Sequence, residues 1–156
     1  MSKRKLIIFV IMISTVLTSC GFKKINQDFP KIHIKILDIT GENRVAYKLK
    51  NNILMMSDEK AEKKYELKLN VLKTRSNKIR NKSGKVTRYI LTLKADLTFN
   101  EISSQRSVKK VFVQKVNYNV ARIHSKTISN EKNATKNVVQ QLSDEIKNFI
   151  IISVKN

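Results

Sequence analysis

The chain has 156 residues, of which 32 are Lys or Arg and 12 are Asp or Glu, so its formal net charge is +20. This length suits one domain, and a hydrophobic fraction of 41% is enough for a core, which argues against wholesale disorder. The single cysteine, Cys20, excludes an internal disulfide and a Cys-rich zinc site. The charge indicates either a solvated, Lys-covered surface, which A/T-rich codons for Lys, Ile and Asn favour, or an anionic partner such as nucleic acid, phospholipid or lipopolysaccharide.

The first segment has the organisation of an export signal, which we place at residues 1–19. Three basic residues precede an uncharged, mostly apolar run from Leu6 to Leu17, which is shorter than the ~20 residues that span a bilayer. The tetrapeptide LTSC, which ends at Cys20, resembles a bacterial lipobox. That resemblance implies cleavage before Cys20 and attachment of diacylglycerol to its sulfur, although an uncleaved anchor with a chance cysteine is the alternative. The residue after the lipidated cysteine governs the sorting of such lipoproteins, and Asp at this position implies retention in the inner membrane. This chain has Gly21 there, which implies release to the outer membrane.

The next segments predict a tether, a strand and a helix. Residues 20–30 form the tether, and residues 31–156 form a single domain. The segment from Lys31 to Asp38 alternates apolar and polar residues, which predicts a half-buried strand. The segment from Gly41 to Met56 has a helical period, with Thr40 as its candidate N-cap. The apolar stripe of this helix comprises Val45, Leu49, Ile53 and Met56.

Three further segments with one apolar face each predict strands. They are residues 64–74, 86–99 and 108–121. The connection from Arg75 to Lys85 predicts a loop with a turn at Ser83-Gly84, and both connections suit antiparallel hairpins. An amphipathic helix, capped by Ser129 or Asn130, follows and runs to about Ile152.

The order β-α-β-β-β-α predicts an α+β, two-layer sandwich. In it, two helices pack on one face of a four-stranded, mainly antiparallel sheet, because this arrangement buries every apolar face. The other sheet face would be open. It would present several basic residues but also four aliphatic ones, which indicate either a partner surface or ordinary scatter. The aliphatic residues are Leu72, Ile90, Val111 and Val113.

The lipobox, continued as Cys20-Gly21-Phe22, and this order of elements resemble the LPS-assembly lipoprotein LptE family over residues 20–152. Three more segments resemble its alphaproteobacterial members: KYELKLNVLK (64–73), TRYILTLKADLTF (87–99) and residues 121–150. The resemblance implies an outer-membrane lipoprotein, lipid-anchored on the periplasmic side, that is bound within the β-barrel LptD. There it would help to assemble and deliver lipopolysaccharide to the outer leaflet.

Lipopolysaccharide carries phosphates on an acylated disaccharide, a ligand that calls for Lys and Arg heads beside apolar side chains. The acid-free connection between the second and third predicted strands offers this mixture, with Ile79 inside it. Its basic residues are the candidate ligand contacts: Arg75, Lys78, Arg80, Lys82 and Lys85. A solvated, flexible loop is the alternative interpretation.

The sequence contains no catalytic pattern that we recognise, so we expect a non-enzymatic protein without a cofactor or metal. His33 and His124 lack partners at metal spacing, and lipidation would consume Cys20. Three alternatives compete with the LptE-like function. They are an accessory outer-membrane lipoprotein of another lipid-transport ABC system, an envelope hydrolase without a candidate triad, and a nucleic-acid-binding domain with a misread N-terminus. The last is disfavoured, because the aromatic residues of the strands fall on predicted core faces.

Overall fold

The computed structural model describes residues 30–155. The predicted signal peptide, the lipid-attachment site Cys20 and the tether up to residue 29 lie outside the described residues. Six elements follow in the predicted order β-α-β-β-β-α. They are β1 (His33–Gly41), α1 (Asn43–Leu54), β2 (Lys64–Arg80), β3 (Val86–Glu101), β4 (Ser107–Asn119) and α2 (His124–Lys155). Neither of the two helices between residues 30 and 155 has an apolar stretch of the length that spans a bilayer.

The strands form one four-stranded sheet in the order β1-β2-β3-β4. The β1 and β2 strands are parallel, because α1 returns the chain to the end of the sheet at which β1 began. His33, at the start of β1, therefore pairs with Lys64, at the start of β2. The other two pairings are antiparallel, as hairpin connections require. The predicted α+β architecture is therefore confirmed.

One face of the sheet packs against both helices and forms the core. The predicted alternation of β2 and β3 is confirmed: the residues of one face are buried, and their neighbours in sequence are more exposed. The predicted stripe of the first helix is also buried against this face, and so is one apolar side of α2, although Phe149 there is only partly buried. The fully buried side chains include Leu67, Leu91, Leu93, Phe112, Leu142 and Ile146. A continuous apolar layer between sheet and helices is the main source of stability for such a fold.

Three local predictions are wrong. The connection predicted as a loop from residue 75 is strand up to Arg80, because β2 keeps pairing with β3. Helix α2 begins at His124 rather than after Ser129 or Asn130. Thr40 does not cap α1: its hydroxyl donates to Asn70 Oδ1, and Glu42 occupies the N-cap position without a side-chain hydrogen bond.

Candidate functional site

The five predicted ligand contacts fall into two groups. Arg75 lies opposite Leu91 in the β2–β3 pairing, on the face of the sheet that carries the helices. The other four lie at the turn end of the β2–β3 hairpin, near or beyond the level of Arg88, the first residue of β3 that pairs with β4. The structure therefore gives Arg75 a different environment from Lys78, Arg80, Lys82 and Lys85.

The end of the hairpin, residues 78–85, comprises the last residues of β2 and a hydrogen-bonded turn, and we call it the hairpin tip. The side-chain oxygen of Asn81 accepts hydrogen bonds from the backbone N–H groups of Ser83 and Lys85. The Arg80 guanidinium donates to the carbonyl of Gly84 at 2.7 Å, so part of its hydrogen-bonding capacity stabilises the turn. Between residues 30 and 155, no carboxylate lies within ion-pair distance of Lys78, Lys82 or Lys85, which are exposed.

Arg75 belongs to a cluster around Glu131, in the early turns of α2. The Glu131 carboxylate lies 3.4 Å from Arg75 Nη1 and 3.4 Å from Lys73 Nζ. It also accepts a hydrogen bond of 3.2 Å from the Tyr118 hydroxyl. On its other side, the Arg75 guanidinium lies 4.9 Å from the ring centre of Tyr89, within range of a cation–π interaction.

The same cluster determines two pKa shifts. Burial raises the pKa of the Tyr118 hydroxyl above its ordinary value, and nearby Glu131 adds to the increase. Contact with the Tyr118 hydroxyl, and then Glu131, raises the pKa of Arg75. The Arg75 guanidinium, which stays protonated in proteins, is held between the Glu131 carboxylate and the Tyr89 ring.

Two basic clefts flank Glu131. The first, which we call the hairpin-side cleft, has a volume of about 440 Å³ and lies where β2 and β3 meet the start of α2. Arg75, Arg122 and His124 supply its basic side chains. Its apolar part includes Tyr89, Val120 and Ile128.

The second cleft, which we call the α1-side cleft, lies between the two helices above β2. Its volume is about 470 Å³, and it shares Ile128 and Glu131 with the hairpin-side cleft. Its basic side chains come from three elements: Arg44 and Lys48 of α1, Lys73 of β2 and Lys132 of α2. Glu42 is the other acidic residue in its lining.

The clefts and the hairpin tip form one basic end of the molecule. Residues 67–95 and residues 102–130 contain no Asp or Glu. The first stretch builds the hairpin, and the second leads through β4 into the start of α2. Because the middle of the first stretch and the end of the second meet at the same end of the sheet, anions of a partner would encounter an attractive field there.

Sequence reasoning missed most of this site. Lys73, Arg122, His124 and Lys132 are distant in the chain and carry no shared local pattern, so only the fold brings them together. One signal was available, because Glu131 is the first acid after a long acid-free stretch and therefore an obvious partner for its basic residues. Among residues 30–155, no group of three or more His, Cys, Asp or Glu side chains is arranged to hold a metal ion.

Comparisons with known proteins identify solved structures that have a similar fold. No family model matches the sequence, and no curated protein matches it. A rare lipoprotein B from Shewanella oneidensis superposes with a TM-score of 0.58 at 10% identity, covering 81% of this chain and 98% of that one. A protein described as a lipoprotein from Caulobacter crescentus gives a TM-score of 0.56 at 15% identity, covering 77% and 90%. A protein from Xanthomonas campestris gives 0.52 at 9% identity, covering 83% and 90%. At these identities the likeness concerns architecture: the chain has the fold of these bacterial proteins, two of which are described as lipoproteins.

Proposed function

We propose that this protein is a lipid-anchored outer-membrane lipoprotein that associates with an LptD-type β-barrel and helps to deliver lipopolysaccharide to the outer leaflet. The lipobox at Cys20 supports the anchor, and the fold shared with two bacterial lipoproteins supports the class of protein. The single observation that supports lipopolysaccharide binding is the basic end of the molecule. There, the hairpin tip and both clefts bring together many Lys and Arg side chains and far fewer acidic ones.

The chemistry of this end suits a phosphorylated glycolipid. Phosphate oxygens accept charge-assisted hydrogen bonds from Arg and Lys, which are stronger than neutral ones. Exposed aliphatic residues lie near the same cations: Ile79 in the hairpin tip, Ile123 before α2 and Ile128 in both clefts. A ligand with phosphates next to acyl chains could therefore satisfy both kinds of group together.

The open face of the sheet supports association with a protein partner. Leu72, Val111 and Val113 are about half exposed on this face. They surround an ion pair in which Lys94 Nζ lies 3.0 Å from an Asp96 oxygen. A mixed apolar and charged face of this kind is suited to contact with the wall of a barrel.

Co-purification tests this proposal. The full-length, C-terminally tagged protein would be isolated from membranes solubilised in dodecyl maltoside, and its partners would be identified by mass spectrometry. We expect a large outer-membrane barrel of the LptD type in near-stoichiometric amount. The Cys20→Ala variant is the control, because it cannot be lipidated and should lose the barrel.

The opposite result would identify the competing function. A correctly lipidated, outer-membrane protein that recovers no barrel would contradict the proposal. Recovery of components of another lipid-transport system in its place would favour an accessory lipoprotein of that system.

A further inference from the structure

Glu131 occupies the boundary between the two basic clefts and is their shared acidic residue. We propose that the clefts form one phosphate-binding site and that Glu131 is its internal counter-ion, which a phosphate group of the ligand displaces from Lys73 and Arg75. The phosphate could be free or carried by a lipid. For the lipid-borne source, the inference deepens the proposed function and rests on it.

The placement of the cations supports one site rather than two. Lys73 and Arg75 contact the same carboxylate from β2, where they are two residues apart on one face. Lys73 lines the α1-side cleft and Arg75 lines the hairpin-side cleft. A multiply charged group at the position of the Glu131 carboxylate would therefore reach cations of both clefts.

The contacts of Glu131 are suited to exchange. Both ion pairs are long, at 3.4 Å, and the side chains of Lys73 and Arg75 are 23% and 54% exposed. Ion pairs this accessible contribute little to stability, so their loss is readily offset. A phosphate group has more charge and more acceptor oxygens than a carboxylate, which makes it the stronger partner for the same cations.

The rest of the lining selects for phosphate attached to a less polar group. Arg122 and Lys132 extend the cationic surface on either side of the Glu131 position. Ile128, which is 55% exposed, lies between them in sequence and lines both clefts. A small inorganic anion would use only the cations, whereas an amphiphile would also cover Ile128.

Binding measurements on the full-length, lipidated protein in dodecyl maltoside test the site. The probes are inorganic pyrophosphate, followed by calorimetry, and purified lipopolysaccharide, followed by displacement of a fluorescent lipopolysaccharide. Glu131→Gln keeps an acceptor for the Tyr118 hydroxyl but removes the negative charge. We expect it to bind at least one probe about threefold to tenfold more tightly, because a like charge next to the ligand is removed.

Charge reversals locate the site. Arg122→Glu and Lys132→Glu should each weaken binding about tenfold. Lys136→Glu is the matched control, because Lys136 is exposed on α2 but lines neither cleft. At an ionic strength that screens distant charges, this variant should change the affinity by less than about twofold. Glu145→Gln, further along α2, is the control for removal of an acid.

The outcomes distinguish a free phosphate from a lipid-borne one. They also distinguish failure of this inference from failure of the proposed function. Tighter binding of both probes by Glu131→Gln supports a site for which the phosphate group is sufficient, and tighter binding of lipopolysaccharide alone supports a lipid-borne ligand. Unchanged or weaker binding of both probes by Glu131→Gln, or no binding of either by the wild type, overturns the inference. Loss of the barrel from co-purification contradicts the proposed function but does not affect these measurements.

Discussion

Leu93 lies in a central strand of the sheet and is fully buried between the sheet and the helices. Its neighbours on the same face, Leu91 and Ala95, are also fully buried, whereas Lys94 points to the open face. The alternation in sequence is therefore reproduced residue by residue as a difference between core and solvent.

Leu93→Asp should prevent stable folding. It buries a carboxylate that has no partner, at a cost of more than about 3 kcal/mol, which is a large fraction of the roughly 5–15 kcal/mol that stabilises a small domain. The matched control is Leu72→Asp on the open face, where the leucine is 55% exposed, and it should cost less than about 1 kcal/mol. Urea unfolding followed by circular dichroism measures both, and a stably folded Leu93→Asp protein would refute the face assignment.

Because of Tyr118, the free energy of unfolding should vary with pH in the alkaline range. Burial raises the pKa of its hydroxyl above its ordinary value of 10.0, so the folded state favours the neutral form. Its contribution is fully present below pH 10 and decreases as the pH rises towards the folded-state pKa, because the unfolded chain ionises first.

The free energy of unfolding of the wild type should therefore decrease as the pH rises above 10.0, and that of Tyr118→Phe should decrease less steeply because phenylalanine cannot ionise. Urea titrations across this range measure the two slopes. Tyr47→Phe, at a side chain that is 64% exposed, controls for the loss of a hydroxyl. Identical slopes for the wild type and Tyr118→Phe would contradict the assignment.

At the scale of elements, the β1–α1 connection depends on one glycine. Gly41 ends β1 with a φ of 98°, a conformation that side chains with a Cβ rarely adopt. A Cβ at this position would also collide with the backbone carbonyl of Val71 in β2. This close approach lets the chain leave the sheet and enter α1, whose N-cap residue Glu42 donates its N–H to the same carbonyl.

Gly41→Ala should therefore destabilise the protein more than Gly84→Ala. Gly84 has a similar φ of 78°, but a Cβ there has open space around it, so alanine costs only the backbone strain of about 1–2 kcal/mol. At Gly41 the collision adds to that strain and requires β1 and β2 to move apart. Thermal unfolding of both variants measures the difference, and equal losses would show that the close approach is unimportant.

The start of α2 shows how tertiary contacts override local propensity. Residues 124–129 are mostly modest helix formers, which favours a later start at the good capping residues Ser129 and Asn130. In the structure, the Thr127 hydroxyl accepts a hydrogen bond from the Ala121 N–H, and the Asn130 side chain donates to the Asn119 carbonyl. These bonds join the early turns of α2 to the end of β4, so the helix begins at His124 and completes the hairpin-side cleft.

At the scale of the whole molecule, the basic end and the entry of the chain lie far apart. The described chain enters at Pro30 beside the start of β2, and the hairpin tip lies beyond the other end of that strand. A strand of 17 residues spans roughly 55 Å. Within the described residues, the basic end therefore lies at the opposite end of β2 from the point at which the chain enters the fold.

The exposed lysines of the hairpin tip are the suitable targets for charge reversal at the basic end. Arg75 and Arg80 contact Glu131 and Gly84, so their replacement would disturb the cluster and the turn as well as a ligand. Lys78, Lys82 and Lys85 are exposed and suit the test. Replacing all three by Glu should weaken lipopolysaccharide binding by more than about tenfold and change the free energy of unfolding by less than about 1 kcal/mol.

The matched control reverses three exposed lysines at the other end of the sheet: Lys31, Lys60 and Lys64. The net charge change is the same, so a general electrostatic effect would weaken binding in both variants. Displacement of a fluorescent lipopolysaccharide measures affinity, and circular dichroism measures folding. Equal losses of affinity in the two variants would contradict a ligand site at the hairpin tip.

The sequence alone determined the order of elements and the face that each buries. Val45 and Leu49 repeat with the period of a helix, and the β3 segment alternates with the period of a strand, so the core could be identified before any fold was known. Periodicity could not show where β2 ends, because residues 74–80 are polar except for Ile79 and therefore lack an apolar face. Their strand conformation comes from hydrogen bonds to β3, which are tertiary contacts.

The candidate site was decided by the tertiary structure. A run of basic residues in sequence correctly marked the hairpin, but it grouped Arg75 with side chains that point elsewhere. Only the antiparallel pairing and the early start of α2 place Arg75, Arg122 and Glu131 around one cleft. The physical reason is that periodicity records which face of an element avoids water, whereas a binding site depends on which elements meet at one end of the sheet.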